Sequence, residues 1–302
     1  MRANGTRCIS VGRRAWELAM NRSYGWQRQH PDQTPTEWRR AFGKAHLSAV
    51  KPIQAALGAF DSGDTSKVSL RRFRGPHRSQ GNASSCVAFS CSRAIQMLEA
   101  IWRPSEEPVF PSAQAIYYGA RAEAFAGEAL SDVRIEDTGC AIANAVASVR
   151  ALGYVREDVC PYDVSRINEE PNPQVLVKAY DARDLVTYSI PASVKDDVAI
   201  DACLRDLSDA LSSFCPVVFG MFVDAGFELA LPGSLISSID DRAIVGGHAM
   251  TVLEYAPQAG YVVVDNWWDG WGDGDGLGYI DARLWAKRAC DVTAFVYAPP
   301  TS

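Results

Sequence analysis

Two side chains in the sequence have the types and positions that thiol-based catalysis requires, Cys86 and His248. The spacing of apolar residues predicts a helix that begins at Cys86 and ends near Trp102. A thiol at a helix start faces free backbone N–H groups and the positive end of the helix dipole, which lower its pKa. His248 is the only histidine after residue 78, so it is the one candidate general base of the usual kind in that part of the chain.

Two amide side chains could complete such a site. Asn266 ends the apolar strand that follows His248, and its amide oxygen could hold the imidazole in one tautomer. Gln80 lies six residues before Cys86 on a glycine-containing loop and could donate to a developing oxyanion, a contact worth roughly 3–4 kcal/mol. The alternative interpretation is structural. Cys86 would then be a small core residue, and His248 and Asn266 would be ordinary strand-end and turn residues.

Among the elements that must position these residues, the predicted helices precede most of the predicted strands along the chain. Further helices are predicted at 112–124, at 141–152 with Gly153 as a cap, and along the amphipathic stretch from Ile200 to Leu211. Runs rich in β-branched and aromatic residues predict strands at 216–223, 249–255 and 261–265. This order predicts an α+β protein with segregated helices and strands.

The motifs around these residues resemble the papain/cathepsin family of cysteine peptidases over about residues 70 to 298. They are Gln80-Gly-Asn-Ala-Ser-Ser-Cys86-Val-Ala-Phe-Ser, then Gly-Gly-His248-Ala, then Asn266-Trp-Trp268 followed by Trp-Gly and Gly-Tyr. Three further stretches are similar to the family: Pro111-Ser-Ala-Gln-Ala-Ile-Tyr-Tyr, Asp137-Thr-Gly-Cys140 and Cys160-Pro-Tyr.

The resemblance implies a two-lobe fold, with a helical left lobe, a β-barrel right lobe and the site in the cleft between them. It implies that Cys86 is the nucleophile and that His248 is the base that then protonates the leaving amine. Asn266 would orient the imidazole, and Trp268 would shield their hydrogen bond from water. Gln80 and the backbone N–H of Cys86 would form the oxyanion hole.

The sequence also departs from the family pattern. Ala83 stands where the family usually has a cysteine, and the resemblance implies that Cys140 has lost its disulfide partner. We therefore expect Cys86 and Cys140 to be free thiols, as in a reducing compartment. The first 70 residues show no recognisable propeptide pattern, which argues against autoinhibition of that kind. The eight cysteines contain no C-x-x-C pair, and we expect no metal or cofactor.

Charge divides the chain. Residues 1–78 carry 15 Lys/Arg and 5 Asp/Glu, whereas residues 79–302 carry 15 Lys/Arg and 31 Asp/Glu. This asymmetry and the turn-rich linker Asp61-Ser-Gly-Asp-Thr-Ser predict a boundary at roughly 61–70. It separates a basic N-terminal arm, 1–68, with a broken helical pattern, from a peptidase domain, 69–302. The arm is poorly suited to a core of its own, so we expect its aromatic residues to bury against the body or a protein partner. Its scattered basic residues match no nucleic-acid-binding motif. The aromatic residues that we expect to be buried are Trp16, Tyr24, Trp26 and Trp38 of the arm.

The leading hypothesis is a cysteine endopeptidase or related thiol hydrolase that acts on a peptide or protein substrate. The alternative is a catalytically silent papain-like module, for example a component of a virion or other particle, tethered by its basic arm. A transferase that uses an amine in place of water would share the same residues. The sequence lacks both an apolar stretch of the roughly 18–20 residues that a bilayer requires and a secretory signal, so we expect a cytoplasmic or particle-associated protein.

Overall fold

The computed structural model describes residues 22–37, 67–103, 109–125 and 134–297. Its helices within these ranges are α1 (Cys86–Trp102), α2 (Ala113–Glu123), α3 (Ile142–Leu152), α4 (Pro173–Leu176), α5 (Asp197–Ser212), α6 (Ala225–Glu228) and α7 (Ala282–Arg288). Its strands are β1 (Val68–Ser69), β2 (Leu185–Ser189), β3 (Val217–Asp224), β4 (Leu235–Ile236), β5 (Ile244–Ala256), β6 (Tyr261–Asp265), β7 (Leu277–Asp281) and β8 (Cys290–Tyr297). None of the described helices is long and apolar enough to cross a membrane.

The predicted α+β class is confirmed, but the predicted β-barrel is wrong. The strands form one open sheet in the order β2-β8-β3-β5-β6-β7-β4, and β1 pairs with β5 beside this path. Closing a barrel requires the two end strands to pair with each other. Here one end strand, β4, is two residues long and pairs only with β7 among the described strands. The other end strand, β2, forms a β-bridge on its outer side with Glu37 of the N-terminal arm.

Helix α1 lies between two hydrophobic cores. Its residues are buried on nearly every side, polar ones such as Arg93 and Glu99 included. Val87 and Leu98 belong to the core shared with α2 and α3, whereas Met97 and Ile101 belong to the core shared with the sheet and α5. The helix that carries Cys86 is therefore fixed from both sides.

The predicted helices agree with the structure to within a few residues. Ser112 caps the start of α2 through its side chain, and Gly153 ends α3 with a φ of 78°, in the left-handed region that glycine tolerates. Strand β5 differs, because it begins at Ile244 and not at residue 249. Gly246 and Gly247 are weak strand formers, but they pair with Val223 and Phe222 of β3. His248 consequently lies inside the strand.

The described part of the N-terminal arm, residues 22–37, is extended against the body. Its one helical turn within that range is the 3-10 turn Pro31–Gln33, so the broken helical pattern predicted there is wrong for this stretch. The backbone finds its partners on the body: Trp26 N–H donates to the Gly247 carbonyl at 3.1 Å, and Ser189 N–H donates to the Thr36 carbonyl at 3.0 Å. Trp16 and Trp38 lie outside the described residues. The domain boundary at residue 68 stays a prediction.

A buried ion pair connects α1 to the end of β6. Arg93 Nε lies 2.8 Å from Asp265 Oδ2, and both side chains are almost completely buried. Arg74 donates to the other oxygen of the same carboxylate at 2.9 Å. Since Asp265 precedes Asn266, this pair connects the helix of Cys86 to the segment of Asn266.

We expect Arg93→Met to lower the free energy of unfolding by about 3 kcal/mol, because it leaves the Asp265 carboxylate buried with one cation fewer. Denaturant unfolding followed by circular dichroism measures this. Arg183→Met is the matched control, because it breaks the exposed pair with Asp181 and should change little. Equal losses in the two variants would show that the buried pair has no special structural role.

Candidate active site

Cys86 is the first residue of α1, and its thiol is fully buried. Burial raises the pKa of the thiol to about 11, although nearby backbone N–H groups, those of Ala249 and Gly25 among them, pull the pKa down. Ala249 follows His248 in β5, so the thiol lies beside the strand of the predicted base. Gly25 belongs to the N-terminal arm.

His248 and Asn266 meet as predicted from the sequence. The Nε2 atom of His248 lies 2.7 Å from the Oδ1 atom of Asn266, and both side chains are fully buried. The same Oδ1 accepts a hydrogen bond from the Trp267 N–H at 2.6 Å, which identifies this atom as the oxygen. The imidazole therefore carries its proton on Nε2. Its Nδ1 atom has no hydrogen-bond partner and is free to accept a proton.

Two tryptophans hold this pair. Trp268 stacks on the imidazole with the ring centroids 4.0 Å apart, and its shielding of the hydrogen bond between His248 and Asn266 stays a prediction. Trp267 was missed by the sequence analysis. Its indole N–H donates to Ser90 of α1 at 3.0 Å and to the Ala249 carbonyl at 3.1 Å, so it connects α1 to β5. The signal available in the sequence was a second tryptophan directly after Asn266.

Gln80 is buried near the site, but its amide already has acceptors. Its Nε2 atom donates to the Ala83 carbonyl at 2.8 Å and to the Ser23 carbonyl at 3.1 Å. The indole N–H of Trp268 also donates to the Ser23 carbonyl, at 3.4 Å. A peptide carbonyl of the arm thus accepts from the side chain predicted to stabilise an oxyanion.

Residues 22–27, which we call the covering segment, lie over the candidate site. Gly25 packs so closely on the loop before α1 that a methyl carbon placed on it would lie 1.7 Å from the Ser84 carbonyl oxygen. On its other side, Cys140 N–H donates to the Gly25 carbonyl at 2.8 Å. Tyr24 packs edge-on against Trp268, with centroids 5.7 Å apart. Burial of the arm's aromatic residues against the body was expected, and Trp26 is buried there. Coverage of the site itself was not expected, because the arm lacks a recognisable propeptide pattern.

The covered site holds both reactive groups in their neutral forms. The pKa of His248 is lowered to about 3, chiefly by burial; the hydrogen bond to Asn266 opposes the shift, and the positive charge of Arg22 in the covering segment adds to it. Burial raises the pKa of Cys86 well above neutrality. At pH 7 the pair is therefore a thiol and a neutral imidazole, and the thiolate that would attack a peptide bond is not formed.

The seven cysteines in the described part of the chain are free, Cys86 and Cys140 among them. Asp137 makes a noncovalent connection in this region, because its carboxylate accepts from the Ser84 N–H at 2.9 Å and from the Tyr117 hydroxyl at 2.5 Å. This carboxylate joins the loop before Cys86 to the segment that contains Cys140.

The buried imidazole makes stability dependent on pH. In the unfolded chain His248 binds a proton at its ordinary pKa near 6.5, whereas in the folded chain it does so only near pH 3. The unfolded state therefore binds more protons between these values, and the free energy of unfolding should fall as the pH drops through this window. The measurement is denaturant unfolding from pH 7.5 to pH 4 for the natural chain and for His248→Gln. A smaller loss in His248→Gln is expected, and identical curves would contradict the assignment.

Comparisons with known proteins identify the fold. No family profile and no curated protein matches the sequence. Solved structures do match. The chain is similar to xylellain, a cysteine protease from Xylella fastidiosa, at 20% identity and a TM-score of 0.64, over 92% of this chain and 97% of that one. It is similar to procathepsin L 3 of Tenebrio molitor at 16% identity and a TM-score of 0.61, over 94% of this chain and 79% of that one. It is also similar to proCathepsin B S9 from Trypanosoma congolense at 14% identity and a TM-score of 0.60, over 94% of this chain and 88% of that one. The chain has the papain-like cysteine peptidase fold.

Proposed function

We propose that this papain-like chain is a cysteine peptidase that hydrolyses peptide bonds through a thioester on Cys86. The observation that carries the proposal is the hydrogen bond from His248 to Asn266, which leaves the Nδ1 atom of the imidazole free beside the strand that contacts the thiol. The fold is that of proteins named as cysteine proteases, which supports the proposal.

The proposed reaction begins when the covering segment leaves and a substrate peptide takes its place. His248 Nδ1 takes the proton of Cys86, and the thiolate attacks the peptide carbonyl. Gln80 Nε2 and the backbone N–H of Cys86 donate to the oxyanion. His248 then gives its proton to the leaving amine, and a water activated by the same imidazole hydrolyses the thioester. Asn266 accepts from Nε2 and so fixes the tautomer of the neutral ring and the orientation of the imidazolium.

The structure with the covering segment in place is proposed to be an inactive, self-covered form. The arm supplies the backbone that lies on Cys86 and the carbonyl that accepts from Gln80. The similarity to structures named as proenzymes supports this. The similarity covers 94% of the chain. Residues 69–302 alone make up only about 77% of it (234 of 302 residues), so the similarity includes part of the arm.

Gly25→Val should convert the full-length chain to an active form. A side chain at Gly25 has no room against Ser84, so the covering segment should be displaced. We expect at least a tenfold rise in the cleavage of an unstructured protein such as casein, measured by the release of fluorescent fragments. Asp32→Ala is the control, because that side chain lies on the same arm but is exposed. A variant with a displaced segment and no activity would contradict the peptidase assignment.

In the Gly25→Val background, Cys86→Ser and His248→Ala should each reduce kcat at least about a thousandfold, because each removes a member of one reacting unit. Circular dichroism should show that the fold is retained. Activity that survives Cys86→Ser would mean that another residue is the nucleophile. The catalytically silent alternative finds no support in the comparisons, whose names are those of proteases.

A further inference from the structure

A chain of three hydrogen bonds joins the loop before Cys86 to the segment on which the covering segment lies. The Ser84 N–H donates to the Asp137 carboxylate at 2.9 Å, and the Tyr117 hydroxyl donates to the same carboxylate at 2.5 Å. The Tyr117 hydroxyl in turn accepts from the Gly139 N–H at 2.9 Å. A hydroxyl can donate one bond while it accepts another, so Tyr117 connects the carboxylate to Gly139. We call Ser84, Asp137, Tyr117 and Gly139 the relay.

The centre of the relay is buried, where a polar group without a partner is costly. Tyr117 is fully buried. Burial and the hydrogen bond to Asp137 raise the pKa of Tyr117 far above neutrality, so the hydroxyl keeps the proton that it donates. Arg121 supports this arrangement. Its guanidinium carbon lies 3.7 Å from the centroid of the Tyr117 ring, and its Nη1 atom donates to the Glu136 carbonyl at 2.7 Å. The residue before Asp137 is therefore held as well.

The far end of the relay carries backbone that binds an extended peptide. The Cys140 N–H donates to the Gly25 carbonyl at 2.8 Å, and the Cys140 carbonyl accepts from the Gln27 N–H at 3.0 Å. Two alternate residues of an extended chain thus pair with one residue of the body, and such bonds do not depend on side chains. Gly139 lies directly against this chain, because a methyl carbon placed on it would be 2.1 Å from the Gly25 carbonyl oxygen. A substrate that replaces the covering segment would meet the same groups.

We propose that Asp137 and Tyr117 are positioning residues, which hold the peptide-binding backbone at Gly139 at a fixed distance from the Cys86 thiol. The inference rests on the proposed peptidase function. Both residues act through the backbone: Asp137 holds the N–H of Ser84, two residues before the nucleophile, and Tyr117 holds the N–H of Gly139. A substrate carbonyl that is bound about 1 Å away from its proper place can be attacked about a hundredfold more slowly.

The first test measures whether the two ends of the relay are coupled, and it needs no turnover. Amide hydrogen exchange of Ser84 and Gly139 is followed by NMR in the full-length chain. Tyr117→Phe removes no atom that Ser84 contacts in the relay, yet it should raise the exchange rate of the Ser84 N–H about tenfold. Asp137→Ala should do the same for the Gly139 N–H, whose acceptor is Tyr117. Tyr154→Phe is the matched control, because that hydroxyl also donates to a buried carboxylate, at 2.7 Å, near the far end of α1. It should leave both rates unchanged.

Tyr117→Phe keeps the buried ring, so it decides the test if Asp137→Ala does not fold. An unchanged exchange rate of Ser84 in folded Tyr117→Phe would overturn the proposal, because the two ends would then move independently.

The second test compares two substrates in the Gly25→Val chain. One is a fluorogenic tetrapeptide amide, which is long enough to pair with the backbone at residues 139–140. The other is 4-nitrophenyl acetate, whose acyl group has no peptide bond with which to pair, and only its Cys86-dependent hydrolysis is counted. Tyr117→Phe should lower kcat/KM for the tetrapeptide about tenfold and leave that for the ester unchanged. Tyr154→Phe should change neither value.

A merely structural role of Tyr117 would lower kcat/KM for both substrates alike. Equal losses for the two substrates, or no loss for the tetrapeptide, would therefore overturn the proposal. If the Gly25→Val chain cleaves neither substrate, the peptidase proposal fails, and the exchange rates still decide whether Asp137 and Tyr117 couple the two segments.

Discussion

The contact of Gly25 with the loop before α1 determines the state of the whole site. Backbone lies on backbone there, with no space for a side chain between Gly25 and the Ser84 carbonyl. This close approach brings Gly25 near the Cys86 thiol, the carbonyl of Ser23 to Gln80 and the indole of Trp26 onto the face of β3 and β5 at Gly220 and Gly247. A chain that passes this point must be extended, and the arm is extended there.

Burial, more than the helix start, sets the protonation of the site in this form. The dipole and the free N–H groups at the start of α1 predict a low pKa for Cys86. Those N–H groups do lower the pKa, but loss of solvent around the thiol outweighs them and raises it to about 11. The loss of solvent comes partly from the arm, which lies far from Cys86 in sequence. No local pattern around residue 86 contains that information.

Much of the fold could be predicted because its elements are locally encoded. The helix from Cys86 to Trp102 follows from apolar spacing alone, and the meeting of His248 with Asn266 follows from two consecutive strands. What escaped prediction depends on distant partners. Arg93 pairs with the carboxylate of Asp265, 172 positions away. Gly246 and Gly247, near the start of β5, are held in the strand by pairing with β3. The open sheet could not be predicted, because two-residue strands such as β4 leave no periodic signal.

The arm has a second contact with the body whose loss would change how molecules meet. Residues 36 and 37 bridge Ser189 on the outer side of β2, the strand at one end of the sheet. An end strand with unpaired N–H and C=O groups is a template on which another chain can add a strand. Departure of the arm, which the proposed reaction requires, would expose this backbone at Ser189 together with the cleft. Access to the thiol and a longer open edge on β2 would then be consequences of the same release.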